Sequence, residues 1–570
     1  MSLKSISNDF QNKIHVHLIS EIFSKLSTDK ERIRFNFRLF RDQFNKLSFE
    51  RVGKSAVKSR VFRETGNLHF RNGDFWKAVT SYSESIAHAP RDAPEFYLAF
   101  GNRAAALLRL NLVKQALLDV EKALSLDIPK EFRTKMISRK ENCLKSVDSS
   151  RTMHMGCGNI GLVTSPLFSS GSVKIALQKD DIFGRSLISS DHIKTGEILV
   201  VEKPYSCILV PNHLYTHCAH CFQRSFNLIP CPDCVTSMYC SDKCLEDSKE
   251  GHKIECRVLE IVTALEASTM ELLSLRTLID ASQQGQTLGE LFKELNESDT
   301  NGEETPYNSD DHINIYKLVG NTEKRDSSDV LCKSLSASII VYILDKIGNF
   351  FELHSGKKKE QLMCAAGGLI LRYLQSMPCN AHEISEYCDD SYEEIGAGAY
   401  ATLSLINHSC DPNVVRHSYG NMLALRAIRP IKKGEQLLDN YGYHYAVLSL
   451  YERRMSLMSQ YFFECACEAC EKNWPQQQDL PETNPVFKDN IDVKKYELLT
   501  ESFQKNVEDI FQGEYRDDIL KELYNYLDFL DEFVERPWKA YNICQEAIKH
   551  CLGLQGNCFR LKKGVQRVST

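Results

Sequence analysis

Apolar positions along this chain change their period several times, and the changes divide it. Residues 1–55 read as helical without a motif. From about Ser59 a helical pattern repeats: Gly66, Ala78, Tyr82 and Pro90 fall at offsets 0, 12, 16 and 24, with Gly73 and Asp74 at the intervening turn. Ala104, Ala116, Val120 and the Ile128-Pro129 pair form a second copy, with a turn near Asn111, and residues 130–147 supply one more helix. Small residues where helices cross, larger ones between them and a closing proline are what a stacked helical repeat needs. β-branched, strand-like patterning begins near Val173 and recurs from Glu197 to Leu209. A dense cysteine cluster follows, and then residues 257–400 read as mainly helical. They are interrupted from Asn296 to Asp311 by an acidic Asn/Asp/Ser-rich stretch, expected to be a mobile surface loop. Strand character returns between Leu423 and Leu438. From about Asn490 the chain is helical again, with Tyr524, Leu527, Leu530 and Phe533 at amphipathic spacing.

At 570 residues the chain exceeds one hydrophobic core, so three or more domains are expected. The longest apolar run, Ala337 to Leu344, falls short of the roughly 20 residues of a membrane span. The first turns carry Asn8, Asp9 and Gln11 in place of a signal-peptide core, so an intracellular protein with no membrane partner is expected. A net charge of −6 argues against direct binding of nucleic acid, and the short basic clusters at Lys357–Lys359 and Arg560–Lys563 read as solvated surface. In a reducing compartment, 21 cysteines point to metal before disulfides.

The helical repeat resembles a pair of tetratricopeptide repeats, spaced 38 residues apart where that family uses about 34. Arg63 and Asn67 share one helix face by their four-residue spacing, as do Lys135 and Arg139, and Asn102 lies on the helix between. The set is similar to the carboxylate clamp of chaperone-binding tetratricopeptide domains. That resemblance implies a chaperone C-terminal peptide as partner, gripped by charge-assisted hydrogen bonds; Arg63 stands where such clamps carry Lys. An ordinary solvated helix face is the plainer alternative.

From Cys218 to Cys256 the chain reads C-x2-C, C-x2-C, C-x3-C, H-x3-C, through Cys218, Cys221, Cys231, Cys234, Cys240, Cys244, His252 and Cys256. Zinc takes four such ligands in a tetrahedron, so eight make two closed structural sites with no position left for water. With Tyr239 before Cys240, the spacing resembles the MYND zinc finger. The resemblance implies interleaved pairing, with Cys218, Cys221, Cys240 and Cys244 on one ion and Cys231, Cys234, His252 and Cys256 on the other; spacing alone leaves that open. His213, His217 and His220 fit no ligand gap and read as surface residues.

The phrase Asn407-His408-Ser409-Cys410-Asp411-Pro412-Asn413 is followed by Gly434 to Tyr441 (GEQLLDNY), and then by Cys465, Cys467 and Cys470. In this order they resemble the SET methyltransferase core with its post-SET zinc site. C-x-C-x2-C supplies three thiolates, and Cys410 is the donor at hand for a fourth. Eleven cysteines are thereby assigned, and others such as Cys332 and Cys364 read as buried thiols. The resemblance implies transfer of a methyl group from S-adenosylmethionine to a lysine amine, with Tyr441 as the catalytic tyrosine. Asn407 and His408 would bind the cofactor, with Tyr461 and Phe463 flanking the adenine or the lysine channel and Asn380 near the pocket. A Gly-rich turn, Phe183-Gly184-Arg185-Ser186, would cover the cofactor's methionine end. Ser186 stands where many SET proteins carry Gly, and a side chain there is expected to crowd the backbone approach.

Taken together, the chain resembles the SET and MYND domain-containing family, and within it the branch that carries tetratricopeptide repeats. The fold this implies is α+β: a split SET β-fold with a MYND zinc module, flanked by N-terminal TPR-like helices and a C-terminal helical domain. The divisions are a helical segment at 1–55, TPR-like repeats at 56–150, the SET N-terminal part at 170–210 and MYND at 218–256. They continue with a helical insertion at 257–395, the SET C-terminal part at 396–445, a post-SET segment at 455–475 and the C-terminal helical domain at 485–570. The resemblance implies a protein-lysine N-methyltransferase using S-adenosylmethionine and three zinc ions, acting on histone or non-histone lysines in cytoplasm and nucleus, with proline-rich peptides as MYND partners. The alternative is a SET/MYND scaffold that has lost activity and recruits partners.

Overall fold

In the computed structural model the described residues are 2–12, 22–50, 52–147, 162–181, 184–284, 289–291, 307–388, 391–481, 485–488, 493–511, 516 and 518–560. Phe183, residues 296–306 of the acidic stretch and residues 561–563 of the last basic cluster lie outside them.

The first helices, Leu3–Asn12 and Asp29–Leu39, pack into the helical insertion. Thr28 caps the second of these through a capping box with Glu31. Its fully buried Asn36 donates to Ser334 Oγ at 2.9 Å, and so docks on the helix Ser327–Lys346. That helix is long and apolar enough to cross a membrane by length and composition, against the expectation from the short run within it. Its composition has a packing cause: Leu335, Ile339, Ile340, Ile343 and Leu344 are almost wholly buried against neighbouring helices.

Five helices, Ala56–Arg71, Phe75–His88, Pro94–Arg109, Val113–Leu124 and Lys130–Ser146, pack each on the next. The small residues sit where helices meet: Ala78, Ala104 and Ala116 are fully buried, and a Cβ on Gly66 would come within 2.6 Å of the Tyr82 ring. Arg103 is fully buried between Asp119 (2.7 Å) and the carbonyl of Leu228, which ties this array to the cysteine-rich segment from Cys218 to Cys256.

The β-structure is assembled from distant sequence. One antiparallel sheet runs Thr164–Ser165, Phe168–Ser172, Ile198–Glu202, Met422–Ala427, Val414–Tyr419. Val200 pairs there with Leu425, across the whole insertion. A second sheet joins Ser206–Leu209, Ser391–Ala399, His382–Cys388 and the C-terminal pair Cys558–Phe559. The helical character expected through residue 395 therefore ends at Asn380, with the two strands from His382 to Ala399 beyond it. The three C-terminal helices, Val493–Phe511, Ile519–Phe533 and Lys539–Gln555, have a core of their own around Leu523, Leu527 and Ile548.

Candidate active site

A hairpin, Ile175–Asp180 with Gly184–Ser189, stands on one side of the site. The segment from Gly434 to Tyr441 returns between it and the loop after Asn407. On the hairpin side Leu437 N–H donates to Leu187 O at 2.8 Å. On the loop side Ser409 N–H donates to Asp439 O at 2.9 Å, and Asn407–His408 runs parallel to Leu438–Asp439. Asn413 locks the crossing with its amide, accepting from Leu438 N–H at 2.7 Å and donating to Gln436 O at 2.8 Å. Asp411, 6% exposed, is held from the C-terminal domain by Arg536 at 2.6 Å. The motif's polar residues therefore build the crossing and hold its neighbours.

This crossing gathers the aromatic residues. Tyr441 faces Tyr461 at 4.7 Å between ring centroids and His408 at 5.1 Å. Phe463 lies 6.1 Å from His408, and Tyr443 6.5 Å from Tyr461. The Tyr441 hydroxyl donates to the carbonyl of Ile406. Burial pushes its phenol well above the ordinary value, so the hydroxyl is un-ionised at neutral pH. Burial pushes Tyr461 up to about 12 as well. His408 is buried; its Nδ1 accepts the Tyr441 backbone N–H at 3.1 Å, and its Nε2 lies 3.3 Å from Cys410 Sγ. Asn407 is half-buried and donates to Gln436 Oε1 at 3.3 Å.

Gly184 has φ +67° and Gly442 φ +102°, and a Cβ on either would meet nothing within 4 Å, so bare backbone faces open space at both. Arg185 donates to the carbonyl of Lys317 at 2.8 Å. Ser186 is fully buried on the hairpin, and its hydroxyl has no partner among the described residues. Asn380 closes the helix Gly356–Asn380, donating to Val319 O at 2.8 Å, while neighbouring Cys379 lies 3.3 Å from Gln460 O, one residue before Tyr461.

Twelve predicted metal ligands gather into three tetrads: Cys218, Cys221, Cys240 and Cys244; Cys231, Cys234, His252 and Cys256; Cys410, Cys465, Cys467 and Cys470. Within each tetrad the ligand atoms lie within 4.8 Å of one another. A tetrahedral ion with metal–sulfur bonds of about 2.3 Å sets its sulfurs about 3.8 Å apart. Cys221 and Cys240 stand 3.7 Å apart, Cys231 and Cys256 3.8 Å, Cys410 and Cys465 4.0 Å. The interleaved arrangement left open by spacing is the one the fold adopts. The third tetrad joins the loop after Asn407 to the segment after Tyr461.

Two groups around the tetrads carry no spacing signal. Glu255, 3% exposed, stands 3.2 Å from His252 Nδ1 and receives Arg276 at 2.6 Å, which leaves Nε2 facing Cys231 and Cys234. Arg453, fully buried, lies 3.6 Å from Cys470 Sγ and places positive charge beside four thiols. Arg276 stands 21 residues from Glu255 and Arg453 17 from Cys470, so neither pairing leaves a local pattern. His217, expected on the surface, is fully buried with Nε2 3.4 Å from Glu386, because Arg224 and Glu386 form an ion pair across it. Cys332, expected buried, is exposed, whereas Cys364 is buried.

Of the array's polar residues, Asn67 Oδ1 accepts from Asn102 Nδ2 and from Tyr82 OH, both at 2.9 Å. Arg139 donates to Gly101 O, and Lys135 is exposed one turn away.

A family model described as SET domain matches residues 184–442. Among curated proteins, the chain is 24% identical over 526 residues to "Protein-lysine N-methyltransferase SMYD4" of Danio rerio, covering 77% of this chain and 68% of that protein. To the Homo sapiens protein of the same name it is 24% identical over 546 residues, covering 74% and 68%. It is 25% identical over 292 residues to "N-lysine methyltransferase SMYD2" of Homo sapiens, covering 50% and 58%.

Proposed function

We propose that this SET-domain chain is an S-adenosylmethionine-dependent protein-lysine N-methyltransferase of the SET and MYND domain-containing kind. The observation that carries the reading is the aromatic cluster of Tyr441, Tyr461, Phe463 and His408, set on a crossing that the Asn-His-Ser-Cys segment holds from one side and the Gly184 hairpin from the other. The bare backbone at Gly184 and Gly442 and the half-buried Asn407 amide suit a ligand with a polar methionine end and an aromatic base. S-Adenosylmethionine supplies an electrophilic methyl on a sulfonium, and aromatic faces favour such a cation.

The protein's part is to aim and desolvate the lysine. A free lysine amine has a pKa of about 10.4, and entry into an apolar channel beside positive charge favours the neutral nucleophile. Tyr441 and Tyr461 form the walls of that channel. With its phenol held neutral, the Tyr441 oxygen orients the amine by hydrogen bonding, and alignment lowers the barrier without a covalent intermediate. Asn407 and His408 hold the cofactor, and the Gly184–Ser186 stretch lies over its amino-acid end.

We assign zinc to the three tetrads, with the first two forming a MYND module that docks proline-rich peptides and the third a structural clamp on the active-site loop. The helical array reads as tetratricopeptide repeats, and Arg63, Asn67, Asn102, Lys135 and Arg139 as a cradle for the acidic C-terminus of a chaperone. The hydrogen bond between Asn67 and Asn102 supports this by bringing two of the five together. The expected compartments are cytoplasm and nucleus.

The test is methyl transfer from isotopically labelled S-adenosylmethionine to a panel of lysine-bearing proteins, by the wild type and by Tyr441→Phe. Label on lysine from the wild type alone supports the enzyme. Cofactor binding without transfer to any lysine favours the scaffold that recruits partners.

A further inference from the structure

His408 is placed where one imidazole touches two different machines. Its Nδ1 receives the backbone N–H of Tyr441 at 3.1 Å, and an amide N–H can only donate. Nδ1 is therefore the unprotonated nitrogen, and a neutral ring carries its proton on Nε2. Nε2 points at Cys410 Sγ, 3.3 Å away, and Cys410 belongs to the third tetrad with Cys465, Cys467 and Cys470. The ring is buried, so water does not compete at either nitrogen.

We propose that His408 is a positioning residue: Nε2–H donates to the Cys410 thiolate of the zinc tetrad while Nδ1 holds the Tyr441 backbone, so the metal site sets the catalytic tyrosine's place through one side chain. This rests on the methyltransferase reading and assigns the side chain a task separate from cofactor contact. Asn407–His408 runs parallel to Leu438–Asp439, but that two-residue ladder ends before Tyr441. The His408 link continues it, reaching the residue whose hydroxyl is to be aimed. A hydrogen-bond donor to a metal-bound thiolate also tunes it, since the bond withdraws electron density from sulfur and lowers its nucleophilicity.

The experiment uses the full chain loaded with cobalt(II) in place of zinc, comparing wild type with His408→Phe. Phe keeps the ring packing against Tyr441 and Phe463 but offers no hydrogen bond. The proposal expects a shifted thiolate-to-cobalt charge-transfer band. It also expects alkylation of Cys410 by iodoacetamide to quicken about tenfold in the zinc-loaded variant, with Cys231 of the second tetrad unchanged. An unaltered band and unaltered Cys410 reactivity would overturn it. Should the variant fail to fold, the wild type decides: nitrogen-15 shifts of selectively labelled histidine must show His408 protonated at Nε2, and protonation at Nδ1 overturns the link. Normal cobalt loading with no change on substitution sinks this inference and leaves the methyltransferase reading standing. Methyl transfer absent from the wild type, with the band shift present, sinks that reading and keeps the link.

Discussion

At the scale of single residues, the proposed reaction turns on Tyr441. Its hydroxyl is buried, neutral and committed to the carbonyl of Ile406, so removing the oxygen alone leaves the ring packing on Tyr461 intact. Tyr441→Phe is expected to lower turnover by about 100-fold, roughly 3 kcal/mol, the scale of losing one oriented polar group, while cofactor affinity measured by calorimetry stays the same. Undiminished turnover would remove Tyr441 from its role. Glu255 makes a second residue-scale case. It fixes which nitrogen of His252 faces the second tetrad, and itself neutralises Arg276. Glu255→Gln should weaken zinc by about 10- to 100-fold in competition with a chelator. Equal chelator resistance would mean the carboxylate matters only to Arg276.

At the scale of elements, the loop before the active site depends on Glu202. Its carboxylate, fully buried, accepts Thr402 N–H at 2.8 Å and Leu403 N–H at 2.9 Å, bracing the turn that leads to Asn407. Burial outweighs these bonds and pushes the carboxyl up to about 7, above its unfolded range of about 4.3. A raised folded value means that this group's contribution to stability is complete below about pH 4 and is lost as pH rises through about 7. Wild-type melting temperature should therefore fall more steeply than that of Glu202→Gln between about pH 4.5 and 7. Parallel curves would exclude Glu202 as the cause. Cys410 ties the same loop to the segment from Cys465 to Cys470, and Cys410→Ser should release one of three bound metals with loss of cofactor affinity. Three metals per chain in the variant would contradict the tetrad.

The elements differ in how well the sequence announces them. The eight predicted ligands from Cys218 to Cys256, the Cys465–Cys470 run and the Asn407–Asn413 and Gly434–Tyr441 motifs each lie within a short window, so their chemistry is readable before any fold is known. Helix crossings at Gly66, Ala78 and Ala104 are readable because only small side chains fit there. Ser391–Ala399 was hidden because its partner Ser206–Leu209 lies on the far side of the insertion, and His382–Cys388 because it pairs with Ser391–Ala399 and with Cys558–Phe559 at the far end of the chain. Their polar positions Glu383, Ser385, Glu393 and Glu394 also follow a long helix without a break signal other than Pro378. His217, Glu255 and Arg453 were hidden for a related reason: Glu386, Arg276 and Cys470, their respective partners, come near only by folding.

At the scale of the whole molecule, distant segments converge on one crossing: the hairpin from the first SET part, the Asn407 loop, the returning Gly434–Tyr441 stretch and the cysteine-rich segment beyond Tyr461. Arg536 reaches the same loop from the C-terminal domain. Such an assembly needs all its parts in place, and a metal ion bound by the third tetrad would hold two of them together. The central claim is that this assembly binds S-adenosylmethionine for methyl transfer to lysine. Calorimetric titration of the zinc-replete full chain with S-adenosylmethionine tests it most directly. Binding with a Kd of about 1 to 100 μM, weakened in Cys410→Ser, is the predicted result. A folded, zinc-replete protein that gives no binding heat up to about 1 mM cofactor would contradict it.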